Sequence, residues 1–192
     1  MRRTDREIKD HSKIMEILNA CDCCRLGLVD NQEAYIIPMN FGYDIIDEQL
    51  LLYFHCANEG RKIDLLPKQS VVSFEMDTKH RLTEGKLGCD FSFLYQSIMG
   101  KGTVREVCDI HEKIYGLQRI MAHYTGNTQW EFNEKVLNAT KVLKLSVSAL
   151  SCKEHQGSPA VPNTGNTYTI PAFSGLGTGK CKLNIRQKKS SV

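Results

Sequence analysis

The chain has 192 residues, of which 41% are hydrophobic, and its 25 basic and 22 acidic residues give a formal charge of +3. This composition predicts one globular domain with a hydrophobic core and excludes a disordered or fibrous protein. The small, scattered net charge argues against a nucleic-acid surface. No apolar run is long enough to cross a bilayer, and residues 1–10 lack the apolar stretch of a secretory signal. We therefore expect a cytoplasmic protein that binds neither membrane nor nucleic acid.

The first predicted elements are a helix and three antiparallel strands. Thr4 and Glu7 resemble a capping box, and the apolar spacing after them favours a helix that ends near Ala20. Short apolar segments follow from Arg25, among them "AYIIPMNFGY" and "QLLLYFHC". Pro38 lies inside the second strand and cannot donate a ladder hydrogen bond. We expect an edge, a bulge or an opening there, and an opening is where a ligand could lie.

From Gly60 onward, the sequence pattern predicts two helices and three strands. "GRKIDLLPK" is long enough for a two-turn helix, and "SVVSFEMD" then forms a strand. A polar loop over Thr78–Asp90 leads into a long strand, in which Gly100 and Gly102 suggest a bulge. Asp109 can cap a helix that ends near Tyr124, and "VLKLSVSAL" is the last strand. These elements predict a mainly β protein with α-helices, a small antiparallel barrel with helical covers.

The composition changes near the end of the chain. Residues 154–192 are rich in Gly, Pro, Ser, Thr and Asn and end in basic residues. Such a segment buries too little apolar surface to offset its ordering entropy. We expect one domain over residues 1–153 and a disordered basic tail over residues 154–192.

Eight cysteines could indicate a disulfide scaffold, but such frameworks usually occur in shorter, secreted chains. We expect reduced thiols. Cys21, Cys23 and Cys24 cluster without the two spaced pairs of a zinc site, so we interpret them as small hydrophobic residues and expect no metal.

Two adjacent cations follow a glycine where the third strand leads into the short helix. Gly60, Arg61 and Lys62 would lie at the helix N-terminus, where free N–H groups and the helix dipole favour an anion. Arginine adds a fork for two phosphate oxygens, and lysine adds a compact charge. A phosphate is one interpretation. The other is a solvated pair on an exposed turn, which the pair taken alone favours.

Three segments in this order carry a resemblance to a known family: "YIIPMNFGY", "LYFHCANEGRKID" and "YQSIMGKG". With the opening "MRRTDREI", they resemble the 5-nitroimidazole resistance branch of the pyridoxamine 5'-phosphate oxidase-like superfamily of flavin-binding split barrels. The likeness covers residues 1–153. The closing strand reads Ser151, Cys152, Lys153 where the family usually has Thr-Gly-Lys, which is a departure from the pattern.

The resemblance implies a six-stranded antiparallel split β-barrel with flanking helices, and a homodimer with FMN at the subunit interface. Arg61 and Lys62 would hold the FMN phosphate, and the strand Pro38–Phe41 would lie along the isoalloxazine through backbone contacts. Ser97, together with Gln96, would reach the flavin from the second subunit; some relatives carry a larger amide at Ser97. The implied cofactor-binding residues are Pro38, Met39, Asn40, Phe41, Phe54, His55, Gly60, Arg61, Lys62, Gln96 and Ser97.

The resemblance also implies an FMN-dependent oxidoreductase that reduces nitro groups of small nitroimidazole-type molecules by paired electron transfer. His55 is the candidate proton donor or substrate contact, and a structural histidine at a strand end is the equal alternative. Tyr95, Tyr124 and Trp130 could wall the substrate pocket or belong to the core. A non-catalytic flavin carrier, store or redox sensor stays open, because no nicotinamide motif identifies an electron donor. A heme-handling barrel has little support, since no histidine matches that role.

Overall fold

The computed structural model describes residues 3–69 and 71–157. In this part of the chain it contains eight strands and four α-helices. The strands are β1 (Glu7–Ile8), β2 (Cys24–Asp30), β3 (Glu33–Met39), β4 (Phe41–Ile46), β5 (Gln49–Ala57), β6 (Val72–Thr83), β7 (Ser92–Glu106) and β8 (Thr140–His155). The helices are α1 (His11–Ala20), α2 (Arg61–Leu65), α3 (Ile110–Thr125) and α4 (Glu134–Asn138), and short 3₁₀ turns cover Thr4–Arg6, Leu66–Lys68 and Gly88–Asp90.

All eight strands belong to one antiparallel sheet. Its order is β3-β2-β6-β7-β8-β5-β4, and β1 adds to β8. The two outermost strands, β3 and β4, are consecutive in the chain, and Asn40 alone separates them. The sheet must therefore curl until its two ends meet at this residue. Among the described residues no ladder joins β3 to β4, so the sheet is open there.

The predicted class, mainly β with α-helices, is confirmed, whereas the count of six strands is not. One reason is that the segment expected as a single second strand divides at Asn40 into two ladders, β3 on β2 and β4 on β5. The other is the two-residue strand β1. Pro38 lies on the edge strand β3, as its missing N–H predicts.

The first helix begins later than its sequence suggests. Thr4 is in a 3₁₀ turn, and Glu7 and Ile8 pair with Lys153 and Cys152 of β8, so the expected capping box does not form. Helix α1 begins at His11 instead, because the Asp10 carboxylate accepts the Lys13 N–H at 2.7 Å. Glu7 and Ile8, which the apolar pattern assigned to a helix, therefore belong to the ladder between β1 and β8.

The long hairpin of β6 and β7 replaces the first part of the polar loop expected over residues 78–90, because β6 extends to Thr83 and β7 begins only at Ser92. Strand β6 continues to Thr83 through an irregularity at Lys79, whose φ is 54°. A second register shift falls between Lys101 and Gly102, which confirms the predicted bulge. Strand β8 also extends past the predicted domain boundary, to His155. Residues 158–192 of the predicted tail lie outside the described residues.

Two apolar clusters hold the fold together. The larger one fills the curled sheet, and Phe41, Leu52 and Phe54 are fully buried in it. The smaller one lies under α3 and includes Tyr53, Ile120 and Val142. Helix α3 has the predicted N-cap, since the Asp109 carboxylate accepts the Glu112 N–H at 2.8 Å. No helix in the described part of the chain combines the length and apolarity needed to span a bilayer.

The seven cysteines among residues 3–69 and 71–157 are all free thiols. Cys21 and Cys24 are buried in the larger cluster, which confirms their interpretation as small hydrophobic residues, whereas Cys23 is only half-buried. Burial raises the pKa of the Cys21 thiol to about 12 and raises the pKa of Cys24 as well. Within the described residues no group of three or more His, Cys, Asp or Glu side chains is arranged to hold a metal ion.

Candidate functional site

An open pocket of about 340 Å³ lies where the two ends of the sheet meet. It collects residues from β3 and the following hinge, from the end of β5, from α2, and from the turn into β8. The lining residues are Pro38, Met39, Asn40, His55, Cys56, Ala57, Lys62, Ala139 and Thr140. Five of them are among the predicted site residues, although they come from three separate segments of the chain.

The hinge at Asn40 forms one wall of the pocket. Met39 is the last residue paired with β2, opposite Cys24, and Phe41 is the first one paired with β5, opposite Phe54. Asn40 belongs to neither ladder. Its main-chain groups are therefore not committed to the sheet, which is the condition for binding a ligand through the backbone.

Phe41 anchors the hinge from the other side. Its N–H donates to the Tyr124 hydroxyl at 3.1 Å, and that hydroxyl donates to the Asp22 carbonyl at 2.8 Å. The Phe41 ring packs against His123 with centroids 4.3 Å apart, and His123 Nε2 lies 2.7 Å from the Cys21 carbonyl. Burial lowers the pKa of His123. The Phe41 side chain thus lies in the core, and Phe41 does not line the pocket.

Strand β5 presents His55 to the pocket and Phe54 to the core. The two are neighbours in a strand, so their side chains point to opposite faces of the sheet. Phe54 is fully buried and His55 is exposed. The structure brings His55 into the pocket as expected, but Phe54 does not line it. Cys56 also reaches the pocket, and burial raises the pKa of its thiol.

The two adjacent cations point to different partners. Gly60 has a φ of 130°, a conformation that favours glycine, and its carbonyl accepts the Ile63 N–H at 2.8 Å as the helical segment begins. Lys62 lines the pocket. Arg61 does not: its Nε lies 2.7 Å from Asp30 Oδ2, and its guanidinium carbon lies 4.3 Å from the centre of the Tyr35 ring.

Gln96 and Ser97 lie on β7, away from this pocket. The Gln96 side chain is buried and donates to Glu154, and it lines a second cavity of about 460 Å³ beside His155. Ser97 faces the opposite side of the sheet, half-buried, with Asp77 as its ladder partner on β6. Within one chain neither residue reaches the Asn40 hinge, and their contact with flavin from a second subunit stays a prediction.

The sequence of most of this domain matches a protein-family model described as pyridoxamine 5'-phosphate oxidase, over residues 10–154. The chain belongs to the pyridoxamine 5'-phosphate oxidase family. No curated protein matches the sequence.

Solved structures resemble this pyridoxamine 5'-phosphate oxidase family member over most of its chain. A protein from Bacteroides thetaiotaomicron, provisionally named a 5-nitroimidazole antibiotic resistance protein, is 32% identical, with a TM-score of 0.67 over 77% of this chain and 86% of the other. This relative confirms the resemblance to the nitroimidazole resistance branch.

Two more distant structures share the fold alone. A flavocytochrome from Azotobacter vinelandii is 20% identical, with a TM-score of 0.70 over 85% of this chain and 75% of the other. An FAD- and heme-binding protein from Mycobacterium smegmatis is 16% identical, with a TM-score of 0.70 over 91% of this chain and 92% of the other.

Four residues that line the family member's pocket were not predicted as site residues from the sequence: Cys56, Ala57, Ala139 and Thr140. Thr140 reaches the pocket because β8 pairs with β5 and places it opposite Ala57. Only the strand order could have revealed that contact.

None of the three aromatic candidates for the pocket wall lines this pocket. Tyr124 holds the hinge, Tyr95 lines the second cavity, and the Trp130 Nε1–H donates to the Asn127 carbonyl at 2.9 Å.

Proposed function

We propose that this chain binds FMN in the pocket around Asn40 and acts as an oxidoreductase on small nitroaromatic molecules. The observation that carries the proposal is the convergence of Pro38, Met39, Asn40, His55 and Lys62 on one pocket. The name of the 32% identical relative supports the substrate class.

The residues present suit a flavin mononucleotide. Pro38 and Met39 offer an apolar wall to a planar ring, and Asn40 offers backbone groups outside both ladders. Lys62 supplies a cation for a phosphate, and among the described residues it forms no ion pair. The pocket volume lies within the range of about 300–1,000 Å³ that is common for ligand sites. When bound, flavin supplies the electron-pair transfer that the side chains cannot provide.

FAD is the competing cofactor, because more than one fold relative is named as binding it. We favour FMN because Lys62 is the one cation among the lining residues of this modest pocket, which suits a single phosphate group. Flavin released from the purified protein by heat and identified by mass spectrometry distinguishes the two.

We further propose a cytoplasmic homodimer in which the partner closes the open side of the pocket. Ser97, half-buried on a sheet face of its own chain, would contact the partner's flavin. With β3 and β4 taken as one bent strand and β1 set aside, each subunit would contribute six strands, the number that the proposed split barrel requires.

His55 is the residue that we expect to donate a proton or a hydrogen bond to the substrate, since an imidazole can act in either form near neutral pH. Its side chain is exposed and lines the pocket, whereas a structural histidine would be buried in the core with its ring nitrogens hydrogen-bonded. The variant His55→Gln should retain FMN and reduce nitroimidazole turnover by about 100-fold or more. An unchanged rate with FMN retained would remove His55 from the mechanism.

The first test is a visible spectrum of the purified protein, followed by anaerobic addition of NADH or NADPH and then of a nitroimidazole. Flavin bands that bleach with the donor and return with the drug support the reductase. Bands that respond to neither addition favour a carrier, store or sensor. A colourless protein that takes up no flavin, or a heme Soret band, contradicts the proposal.

A further inference from the structure

The second cavity, of about 460 Å³, lies between the base of the β6–β7 hairpin and the end of β8. The described residues that line it are all different from those that line the pocket around Asn40. One of them, Gln96, is the neighbour of Ser97 in β7, so the two side chains point to opposite faces of the sheet. The cavity is therefore separate from the pocket proposed for flavin.

A β-bulge in β6 borders this cavity. Two residues of β6, Lys79 and His80, oppose the single residue Tyr95 of β7. Lys79 has a φ of 54°, which is unusual for a residue other than glycine. Regular pairing resumes at Arg81, which lies opposite Leu94 and so on the same face of the sheet. Bulges of this kind redirect side chains and often lie beside binding sites.

The β7 and β8 walls of the cavity supply two acceptor groups. Gln96 and Glu154 are ladder partners, and Gln96 Nε2 donates to the Glu154 carboxylate. Gln96 is only 2% exposed, and its buried Oε1 accepts no hydrogen bond from the described residues, which is uncommon for a buried acceptor. Burial would raise the pKa of Glu154, but hydrogen bonds from Gln156 and Gln96 outweigh that effect and lower the pKa. The Glu154 carboxylate is therefore charged at neutral pH.

The β6 wall supplies a cation for an anionic group. Lys79 lies 3.0 Å from Glu16, and His80 lies 2.9 Å from Asp77, so each has an acidic partner within the chain. Arg81 forms no ion pair with any other described residue. Its guanidinium can bind a carboxylate through two parallel hydrogen bonds. The cavity thus has an available cation on one strand and acceptor groups on the two strands beside it.

We propose that this cavity binds a small zwitterion, a free amino acid with an apolar side chain. The ammonium group of the ligand would donate to Glu154 and to Gln96 Oε1, and its carboxylate would bind Arg81. Leu94 and Tyr95 would contact the apolar side chain. A ligand with one charge leaves one of the two charged groups unpaired and binds more weakly. This site does not depend on the proposed flavin site.

The test is calorimetric titration of the purified protein, before and after addition of FMN, with three probes. These are L-phenylalanine, phenethylamine, which lacks the carboxylate, and 3-phenylpropionate, which lacks the ammonium group. Phenylalanine should bind about 10-fold more tightly than either analogue, because it satisfies both charged groups. Its affinity should be the same with and without FMN.

Three results would overturn the proposal: an analogue that binds as tightly as phenylalanine, no binding of phenylalanine at about 10 mM, or displacement of FMN by phenylalanine. The proposed function has a separate outcome. Selective phenylalanine binding by a protein that takes up no flavin would refute the flavin proposal and leave this site standing.

Two variants assign the two charges. Arg81→Gln should weaken phenylalanine binding by about 10-fold and leave phenethylamine binding unchanged, because only the carboxylate loses its partner. Glu154→Gln should weaken the binding of phenylalanine and phenethylamine and leave 3-phenylpropionate binding unchanged. Unchanged phenylalanine binding in Arg81→Gln would contradict the proposal. Because Arg81 is exposed, this variant decides even if Glu154→Gln unfolds.

Lys86→Gln is the matched control for Arg81→Gln. Lys86 is an exposed cation in the same hairpin and forms no ion pair with the other described residues. The control variant should bind all three probes within about twofold of the wild type. A loss of phenylalanine affinity equal to that of Arg81→Gln would show a general charge effect and contradict the site.

Discussion

At the scale of single residues, adjacent positions in this chain have different surroundings. Arg61 and Lys62 look like one basic pair in the sequence, yet one contacts a hairpin and the other a pocket. Phe54 and His55 diverge in the same way, because neighbouring strand residues face opposite sides. The family resemblance selected the segments of the candidate site, but the direction of each side chain depends on the element that carries it.

The charge of Lys62 should matter for the phosphate of the ligand and not for its ring. We expect Lys62→Ala to weaken FMN binding by about 10- to 100-fold, because a hydrogen bond to a charged group contributes about 1.5–3 kcal/mol. Riboflavin, which has no phosphate, should bind almost as before. Calorimetric titration of both ligands measures the difference.

Lys68→Ala is the control for this change, since Lys68 is an exposed lysine at the other end of the same helical segment. It should bind both ligands like the wild type. Equal losses of FMN and riboflavin affinity in Lys62→Ala would mean that Lys62 supports the fold of the pocket and does not bind the phosphate.

At the scale of elements, the pocket depends on how closely α3 approaches β4. The backbone of Arg119 and Ile120 passes over Gly42, and a Cβ on Gly42 would lie 2.3 Å from two of those backbone atoms. Residues at the end of the same helix, His123 and Tyr124, then hold the hinge through Phe41. A bulkier residue at Gly42 would therefore disturb both the helix and the pocket rim.

We expect Gly42→Ala to lower the free energy of unfolding by about 3 kcal/mol, since neither backbone segment can move aside easily. For a domain of this size the melting temperature should fall by roughly 6–12 °C. Gly27→Ala is the matched control on another strand, where the nearest atom to the added Cβ is 3.7 Å away. A similar melting temperature for both variants would show that α3 can shift away from β4.

The elements also show what the sequence could and could not predict. Helix α3 was predicted at both ends, because Asp109 and Gly126 are local signals that need no tertiary contact. The predicted start of α1 was wrong, because Glu7 and Ile8 pair with Lys153 and Cys152, which are far away in the sequence. The hinge at Asn40 was missed for the same reason: Pro38 indicates an edge, but only the ladders of β2 and β5 determine where the strand divides.

At the scale of the whole molecule, stability should depend on pH near neutrality. His123 is half-buried, and this burial lowers its pKa, so the folded protein binds a proton there less readily than the unfolded chain does. As the pH falls from 7.5 towards 5.5, the unfolded state takes up that proton first, and the free energy of unfolding decreases. The stability of the fold with a neutral His123 is therefore fully present above the ordinary histidine pKa and decreases on acidification.

Urea unfolding at several pH values tests this pH dependence. The titration of His123 should change the free energy of unfolding by no more than about 1.4 kcal/mol per pH unit. The variant His123→Gln should have a shallower dependence over the same range. His111→Gln, at an exposed position on the same helix, should keep the wild-type dependence. An identical pH dependence in all three proteins would show that His123 does not contribute to it.

The place of β8 in the sheet has a consequence for synthesis on the ribosome. It is the last strand of the described chain, yet it lies between β7 and β5. Until residues 140–155 emerge, β3-β2-β6-β7 and β5-β4 are two half-sheets, each with an unpaired edge that could bind another nascent chain. Chains that stall before Thr140 should therefore aggregate or recruit chaperones, and the pocket, which needs Thr140 itself, can form only after the final strand inserts.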